Sequence, residues 1–286
     1  MRGEHRRSPA SDNESEGVSS PDLAHKKREP GREMGLVESE AIIIRTYNLA
    51  EADKIVVSLT RRAGLVRAVA RGARRLKSKY GAGLEPFTLV NLSFYEKEGR
   101  ELHSLRELEI VRSYFHLSSN MEVSAALGQM SELVLEFAPP HEPNEKLFRM
   151  VKACLTALSH QTEDLRAILL YFELWLLKLA GFLPSQKSCT DCGKRLLGQG
   201  SVYLNMDGKP RCRACSGGQG TPLSGEAHAQ VLAAQSLSPG EFAERMRLAT
   251  EGSQAEMEQL TRRLIERILE RELRARASLK ALKIEV

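Results

Sequence analysis

Between Ser39 and Arg112 the apolar positions come in short, β-branched runs. Ala41 to Tyr47, Lys54 to Thr60 and Leu65 to Arg71 are three such runs, with turn-like segments between them that include Ala63-Gly64. After a glycine-containing loop, Phe87 to Glu96 and Glu101 to Arg112 make two more, and Lys97 to Arg100, with Gly99 inside it, reads as a hairpin turn. Five strands in about 75 residues predict a small closed or partly open barrel. The OB-fold is the five-stranded solution, and an SH3-like barrel has the same strand count.

From Asn120 the apolar period changes from 2 to 3.6. Met121 to Phe137 reads as a helix stopped by Pro139-Pro140, and Glu145 to Ser159 as a second, following Pro143. Glu163 to Phe182 is the third and most apolar, with Phe172 and Trp175 as core positions and Gly181 and Pro184 at its end. Its apolar stretch, Ala167 to Leu183, carries Glu173 and Lys178 and is a buried helix rather than a membrane span. A cysteine-containing segment, 189–215, and a Gly-rich link, Gly217 to Gly220, follow. Shorter helical patterns cover Ala227 to Ala234 and Pro239 to Leu248. A long amphipathic helix is predicted from Ser253 to about Arg276, with Met257, Leu260, Leu264, Ile268 and Leu269 as its apolar stripe and Arg262, Arg263, Arg267 and Arg271 on the surface. No internal repeat is visible.

The chain of 286 residues, 42% of them apolar, is long enough for two or three units sharing cores. Residues 1–37 are rich in Ser, Glu, Arg and Pro without periodicity and read as a disordered tail, or as an upstream extension of a protein starting at Met34. The expected architecture is α+β: this tail, a barrel over 38–115, a helical domain beginning over 116–188, an inserted cysteine module at 189–215 and the rest of the helical domain over 216–286. The N-terminus lacks the apolar core of a secretory signal. Four of the five cysteines pair as C-x-x-C and Cys154 is left over in a helical pattern, which favours metal binding in a reducing, cytoplasmic setting over a disulfide framework.

Cys189-x2-Cys192 and Cys212-x2-Cys215 are separated by 19 residues. Each pair is a knuckle that turns two thiolates toward one point, and two knuckles complete a tetrahedral shell for one Zn²⁺. Gly193 suits a knuckle turn. Val202-Tyr203-Leu204 and Asp207-Gly208 look like a β-ribbon with a tight turn between the pairs. With four protein ligands the metal has no open position and is structural.

The net charge is +5, but Arg61, Arg62, Arg67, Arg71, Arg74, Arg75, Lys77 and Lys79 are concentrated in 19 residues without an acid, so the rest of the chain is slightly acidic. Such a block on a β-barrel points to phosphates as partners, with Tyr80 placed to stack on a base. A solvated charged loop is the plain alternative, and a polybasic membrane contact lacks an apolar anchor beside it. His141-Glu142-Pro-Asn-Glu145 lacks the second histidine of a zinc-protease helix. No H-x-E precedes either cysteine pair, and neither a phosphate-binding G-x-x-x-x-G-K-[ST] loop nor a G-x-S-x-G elbow is present. Nothing marks an enzyme active site.

The order barrel, basic loop, helices, four-cysteine module, helices resembles the bacterial recombination-mediator family RecO. The resemblance runs from about Glu38 to Leu282. It is carried by Glu40-Ala-Ile-Ile-Ile-Arg-Thr46, Glu51-Ala-Asp-Lys-Ile55, Ala70-Arg-Gly-Ala-Arg-Arg75, Leu84-Glu-Pro-Phe87, Phe172-Glu-Leu-Trp-Leu-Leu177, Gly181-Phe-Leu-Pro184 and Cys189-Thr-Asp-Cys-Gly193. It implies an N-terminal OB-fold, a helical domain and, in many members, a bound zinc. It further implies binding of single- and double-stranded DNA, annealing of complementary strands, and loading of the RecA recombinase together with RecR and the single-stranded-DNA-binding protein, at the nucleoid. Two rival readings are a zinc-ribbon RNA-binding or translation-associated protein and a helical adaptor whose basic loop is incidental.

Overall fold

The computed structural model describes residues 35–96, 99–271 and 273. The tail before Gly35, Lys97 and Glu98 of the expected hairpin turn, and the extension of the last helix toward Arg276 lie outside the described residues.

The β-patterned region is a closed five-stranded barrel of β1 (Leu36–Leu49), β2 (Asp53–Thr60), β3 (Gly64–Ala70), β4 (Thr88–Tyr95) and β5 (Leu102–Ser113). The order around it is β1-β2-β3-β5-β4, with β3 and β5 parallel. This arrangement fits the OB-fold and not the SH3-like alternative. Alternation along the strands gives the barrel two apolar faces. Ala41, Ile43, Val56, Val66, Ala68, Val90 and Phe94 fill its interior. Ile42, Ile44, Val57, Leu59, Leu65 and Leu89 point outward into a second, larger core shared with the helices. A 3-10 turn at Gly81–Leu84 contributes Leu84 to the interior cluster, and a Cβ at Gly83 would meet Leu108 Cδ2 at 2.2 Å.

The helices are α1 (Met121–Phe137), α2 (Glu145–His160) and α3 (Leu165–Leu179). Asn120 accepts hydrogen bonds from the amides of Glu122 and Val123, and Asn144 accepts from Leu147, so an N-cap side chain starts α1 and α2. Fastening to the barrel is polar as well as apolar. Ser131 Oγ donates to the Ile44 carbonyl (3.2 Å), Lys152 pairs with Glu40 (2.6 Å), and the Tyr114 and Thr156 hydroxyls lie 2.9 Å apart. The barrel is therefore not a loosely tethered module. Phe172 is fully buried as expected. Trp175 is only partly buried, its Nε1 donating to the Ala234 carbonyl at 2.7 Å while Lys178 Nζ sits 4.5 Å from its ring centre.

The cysteine segment contains β6 (Ser201–Leu204), β7 (Pro210–Cys212) and a short helix α4 (Arg213–Ser216). An unexpected third strand, β8 (Thr221–Ser224), pairs with β6 and lengthens the module beyond Cys215. Among the described residues three helices follow: α5 (Gly225–Ala234), α6 (Pro239–Met246) and α7 (Glu251–Leu269). A capping box between Ser238 and Glu241 starts α6. On α7, Met257, Leu260, Leu264 and Ile265 are buried, while Ile268 and Leu269 pack only partly.

Candidate metal centre and nucleic-acid interface

The two C-x-x-C knuckles are brought together by the ribbon. Ser188 bridges Arg195 across the first knuckle, and the Gly193 amide donates to the Cys189 carbonyl with Gly193 at φ +72°. The second knuckle follows β7, with Gly217 in the left-handed region closing α4. Cys192 and Cys212 sulfurs lie 3.8 Å apart, and all four sulfurs fall within 4.8 Å of one another. Four thiolates about 2.3 Å from a tetrahedral ion are spaced about 3.8 Å apart, so the cluster has the dimensions of a closed metal site. Arg211 braces it by pairing with Asp191 (2.7 Å) and donating to the Cys215 carbonyl.

The thiols are unequal. Burial raises the Cys189 pKa, but hydrogen bonds from the backbones of Cys212, Cys192 and Asp191 outweigh it and bring the thiol to about 6. Hydrogen bonding with Cys215, first through its backbone, lowers Cys212. Cys215, hydrogen-bonded to the side chains of Cys212 and Cys192, is pushed up to about 12. Four adjacent sulfurs do not all ionise unless a cation is shared among them.

The module is built into the helical core. Cys189, Leu196, Val202, Leu204 and Leu223 belong to the same apolar cluster as α1 to α3. Gln186 donates to the Gly208 carbonyl (3.0 Å), and its own carbonyl lies 2.8 Å from His228 Nε2. A Cβ at Gly208, at φ +70°, would lie 2.7 Å from the Phe182 carbonyl oxygen, so only glycine fits this turn. Cys154 is separate, fully buried in α2, where burial raises its pKa far above the usual thiol value.

The basic block is divided. Arg61 and Arg62 lie at the β2–β3 turn, whereas Arg71, Arg74, Arg75 and Lys77 follow the other end of β3. Seven strand residues at about 3.3 Å each separate the two groups. At the first end Arg61 hydrogen-bonds Glu145 (2.6 Å) and lies 4.0 Å from Glu40; the bond holds the Glu145 carboxyl below its usual pKa. Arg61, Arg62 and Lys79 line a cleft of about 790 Å³ together with Glu38, Glu40, Glu107 and Glu109, so the charge around it is mixed. Lys79 donates to the Arg106 carbonyl.

At the other end the loop is docked on the β1–β2 turn. The Gly72 amide donates to Asp53 (2.7 Å), the Arg74 amide to Ala52 (2.9 Å) and the Arg74 guanidinium to Ala50 (3.0 Å). Arg71, Arg74, Arg75 and Lys77 are exposed, and Leu76 is wholly so, at 102%. The adjoining outer face of the barrel continues the charge. In register, Arg45 faces Val57 and Val57 faces Arg67, while Tyr47 faces Ile55 and Ile55 faces Val69. Arg45 lies 5.8 Å from the Tyr47 ring centre, and both are exposed. Among the described residues Arg67 makes a long, exposed contact with Glu101 at 3.9 Å.

Tyr80, expected to stack on a base, turns inward. It is buried against the barrel interior with its hydroxyl donating to the Leu105 carbonyl (3.0 Å), and burial raises its pKa. Sequence reading misses Tyr47 and Leu76, the exposed apolar groups of this end. Two-residue alternation along β1, which places Arg45 and Tyr47 on one face, is the available signal.

Comparison with known proteins agrees with this layout. The family described as Recombination protein O N terminal matches residues 34–114, and the one described as Recombination protein O C terminal matches 118–277. The chain is 34% identical over 173 residues to the DNA repair protein RecO of Koribacter versatilis, covering 60% of this chain and 70% of that one. It is 40% identical over 164 residues to that of Bifidobacterium animalis subsp. lactis (57% and 68%), and 33% identical over 186 residues to that of Anaeromyxobacter sp. strain K (65% and 72%). With its barrel and its helical part each matched in order, the chain belongs to the RecO family.

Proposed function

We propose that this protein acts in DNA repair and homologous recombination as a non-enzymatic DNA-binding protein. The observation that carries the reading is the exposed Arg71, Arg74, Arg75 and Lys77 loop, docked beside Arg45, Tyr47 and Arg67 on the barrel of a RecO-family chain. Guanidinium and ammonium groups there meet phosphates, which are common to every sequence, on single and double strands alike. Tyr47 offers a ring face and Leu76 an apolar tip to an unstacked base. Annealing requires phosphate repulsion to be screened while base edges stay free, and this surface supplies charge without a base-reading groove. Arg61, Arg62 and Lys79, in their mixed-charge cleft, are secondary in this reading.

Cys189, Cys192, Cys212 and Cys215 hold one Zn²⁺, an assignment supported by the all-thiolate donor set and its tetrahedral spacing. The ion closes the module and leaves no position for substrate. Family membership supports RecR, the single-stranded-DNA-binding protein and, through them, RecA as partners, with loading of recombinase on coated gaps as the outcome. It also supports a cytoplasmic, nucleoid-associated location. Among the described residues no helix is long and apolar enough to cross a membrane.

The test is a gel shift of the full-length protein on single-stranded DNA, duplex DNA and RNA of equal length, with strand annealing followed in parallel. Binding of both DNA forms and annealing without a nucleotide cofactor are expected. Tight binding to RNA alone favours the zinc-ribbon RNA-binding reading and overturns this one.

A further inference from the structure

We propose that Glu96, His103 and His141 form a second metal site, separate from the cysteine cluster, for a divalent cation of the zinc, cobalt and nickel class. One carboxylate oxygen of Glu96 and one ring nitrogen each of His103 and His141 all lie within 4.8 Å of one another. His103 Nε2 and His141 Nδ1 are 3.5 Å apart. Nitrogens bound at about 2.0–2.1 Å to one tetrahedral ion are separated by about 3.3–3.4 Å, so the pair already spans the edge of such a tetrahedron. The same gap is long for a direct hydrogen bond. The rings stand at 85° rather than stacking face to face. Two imidazoles and a carboxylate are a donor set that suits these borderline cations.

Three separate segments deliver the donors. Glu96 follows β4, its amide donating to the Gly35 carbonyl at 2.9 Å. His103 lies near the start of β5, opposite Ala68 of β3, with 3% of its surface exposed and its ring centre 5.3 Å from that of Phe94. His141 comes from the α1–α2 loop, which is laid against the barrel. Pro140 bridges Leu65, the His141 amide donates to the Leu65 carbonyl at 3.3 Å, and Gly64 packs so closely that a Cβ there would lie 2.2 Å from the Glu142 carbonyl oxygen. His141 itself sits at φ +60°, a conformation uncommon for a side-chain-bearing residue. Such a conformation persists where the surroundings impose it. Here it accompanies an imidazole held beside His103.

Glu96 and Glu101 bracket the β4–β5 turn, a turn that borders the oligonucleotide groove in OB-folds. An ion shared by Glu96, His103 and His141 would fasten the base of that turn to the helical layer. With three protein donors, and Glu96 and His141 exposed, one coordination position faces solvent. The inference is independent of the DNA-binding reading.

The experiment is a titration of full-length protein carrying a single equivalent of zinc per chain with Co²⁺, followed by visible absorption and thermal melting. One further equivalent is expected, with cobalt d–d bands but no thiolate charge-transfer band, and with a rise in Tm. His141→Ala, at an exposed loop position, should fold and lose this equivalent, with affinity falling at least tenfold. His103→Ala should do the same, while both variants keep the cysteine-bound metal. Thiolate charge transfer reports on the cysteine cluster alone, so failure at one site is read separately from failure at the other. Absence of the second equivalent in the wild type, or its full retention in folded His141→Ala, overturns the site and leaves a packed histidine pair.

Discussion

Cys189 is 2% exposed and shares an apolar cluster with Leu196 and Val202, whereas Leu76 at the tip of the basic loop is entirely exposed. The two regions illustrate opposite ways of placing chemistry on a fold. The cysteine module is part of the helical core, so its donors cannot be removed without disturbing α5, α7 and the loop after α3. The basic loop rests on the β1–β2 turn through a few hydrogen bonds and contributes little to any core. Changes in the first region should therefore appear as reduced stability. Changes in the second should appear as weakened binding at constant stability.

The largest expected effect is on the core that carries the module. Leu264 of α7 is 7% exposed and would lie 3.8 Å from a Cβ at Gly208 in the ribbon turn. Leu264→Asp should cost several kcal/mol by placing a charge in a packed stripe. Trp175→Asp should cost less, because that ring is only partly buried. Urea melts of the two variants measure the difference, and equal losses would break the ranking.

Next is the metal. The paired change Cys189→Ser and Cys192→Ser should abolish metal binding at the proposed cysteine site and lower Tm substantially, because an ion held there would couple its binding to folding of the ribbon. Metal analysis together with a melt checks this. A metal content equal to that of the wild type, with an unchanged melt, would contradict the assignment of these four ligands.

A smaller effect separates the module from the loop by pH. Burial lowers the His228 pKa, an effect only partly countered by its contact with the Gln186 carbonyl. Its folded value therefore lies below the unfolded value of 6.5. As pH falls through 6.5 the unfolded chain takes up the proton first, and stability declines by at most about 1.4 kcal/mol per pH unit until the folded value is reached. Above 6.5 this contribution is constant. His228→Gln, which can still donate to Gln186, should show a flatter decline between pH 7.5 and 5.5 in parallel urea melts. An identical decline in both proteins would remove His228 from the account.

Much of this layout is legible in the sequence because local chemistry and packing agree. Asn120 and Pro139 bracket α1, and its expected span, Met121 to Phe137, coincides with the helix. Burial of the α7 stripe also follows the period, although it shifts by one position to include Ile265. Legibility fails where proximity in sequence stands in for proximity in space. The eight basic residues look like one patch, but β3 runs through the block, so its two ends face different surroundings and Tyr80 turns inward. Strand β8 is hard to read because Thr221-Pro222-Leu223-Ser224 is short and contains a proline, which an edge strand tolerates. His141 has no histidine partner at helical spacing, while its neighbour in space, His103, lies 38 residues away on a strand.

In the proposed function, nucleic acid meets the loop end of the barrel and not the whole basic block. Two folded variants test it on one single-stranded oligonucleotide, with melts as controls. One carries Arg71→Ala, Arg74→Ala, Arg75→Ala and Lys77→Ala; the other carries Arg61→Ala, Arg62→Ala and Lys79→Ala. Removing one phosphate-binding side chain should flatten the slope of log affinity against log salt by about 0.7, so the first variant should fall by nearly three units of slope and anneal strands poorly. The second should keep a slope close to wild type. Equal slopes in the wild type and the first variant, or a larger drop in the second, would contradict the account.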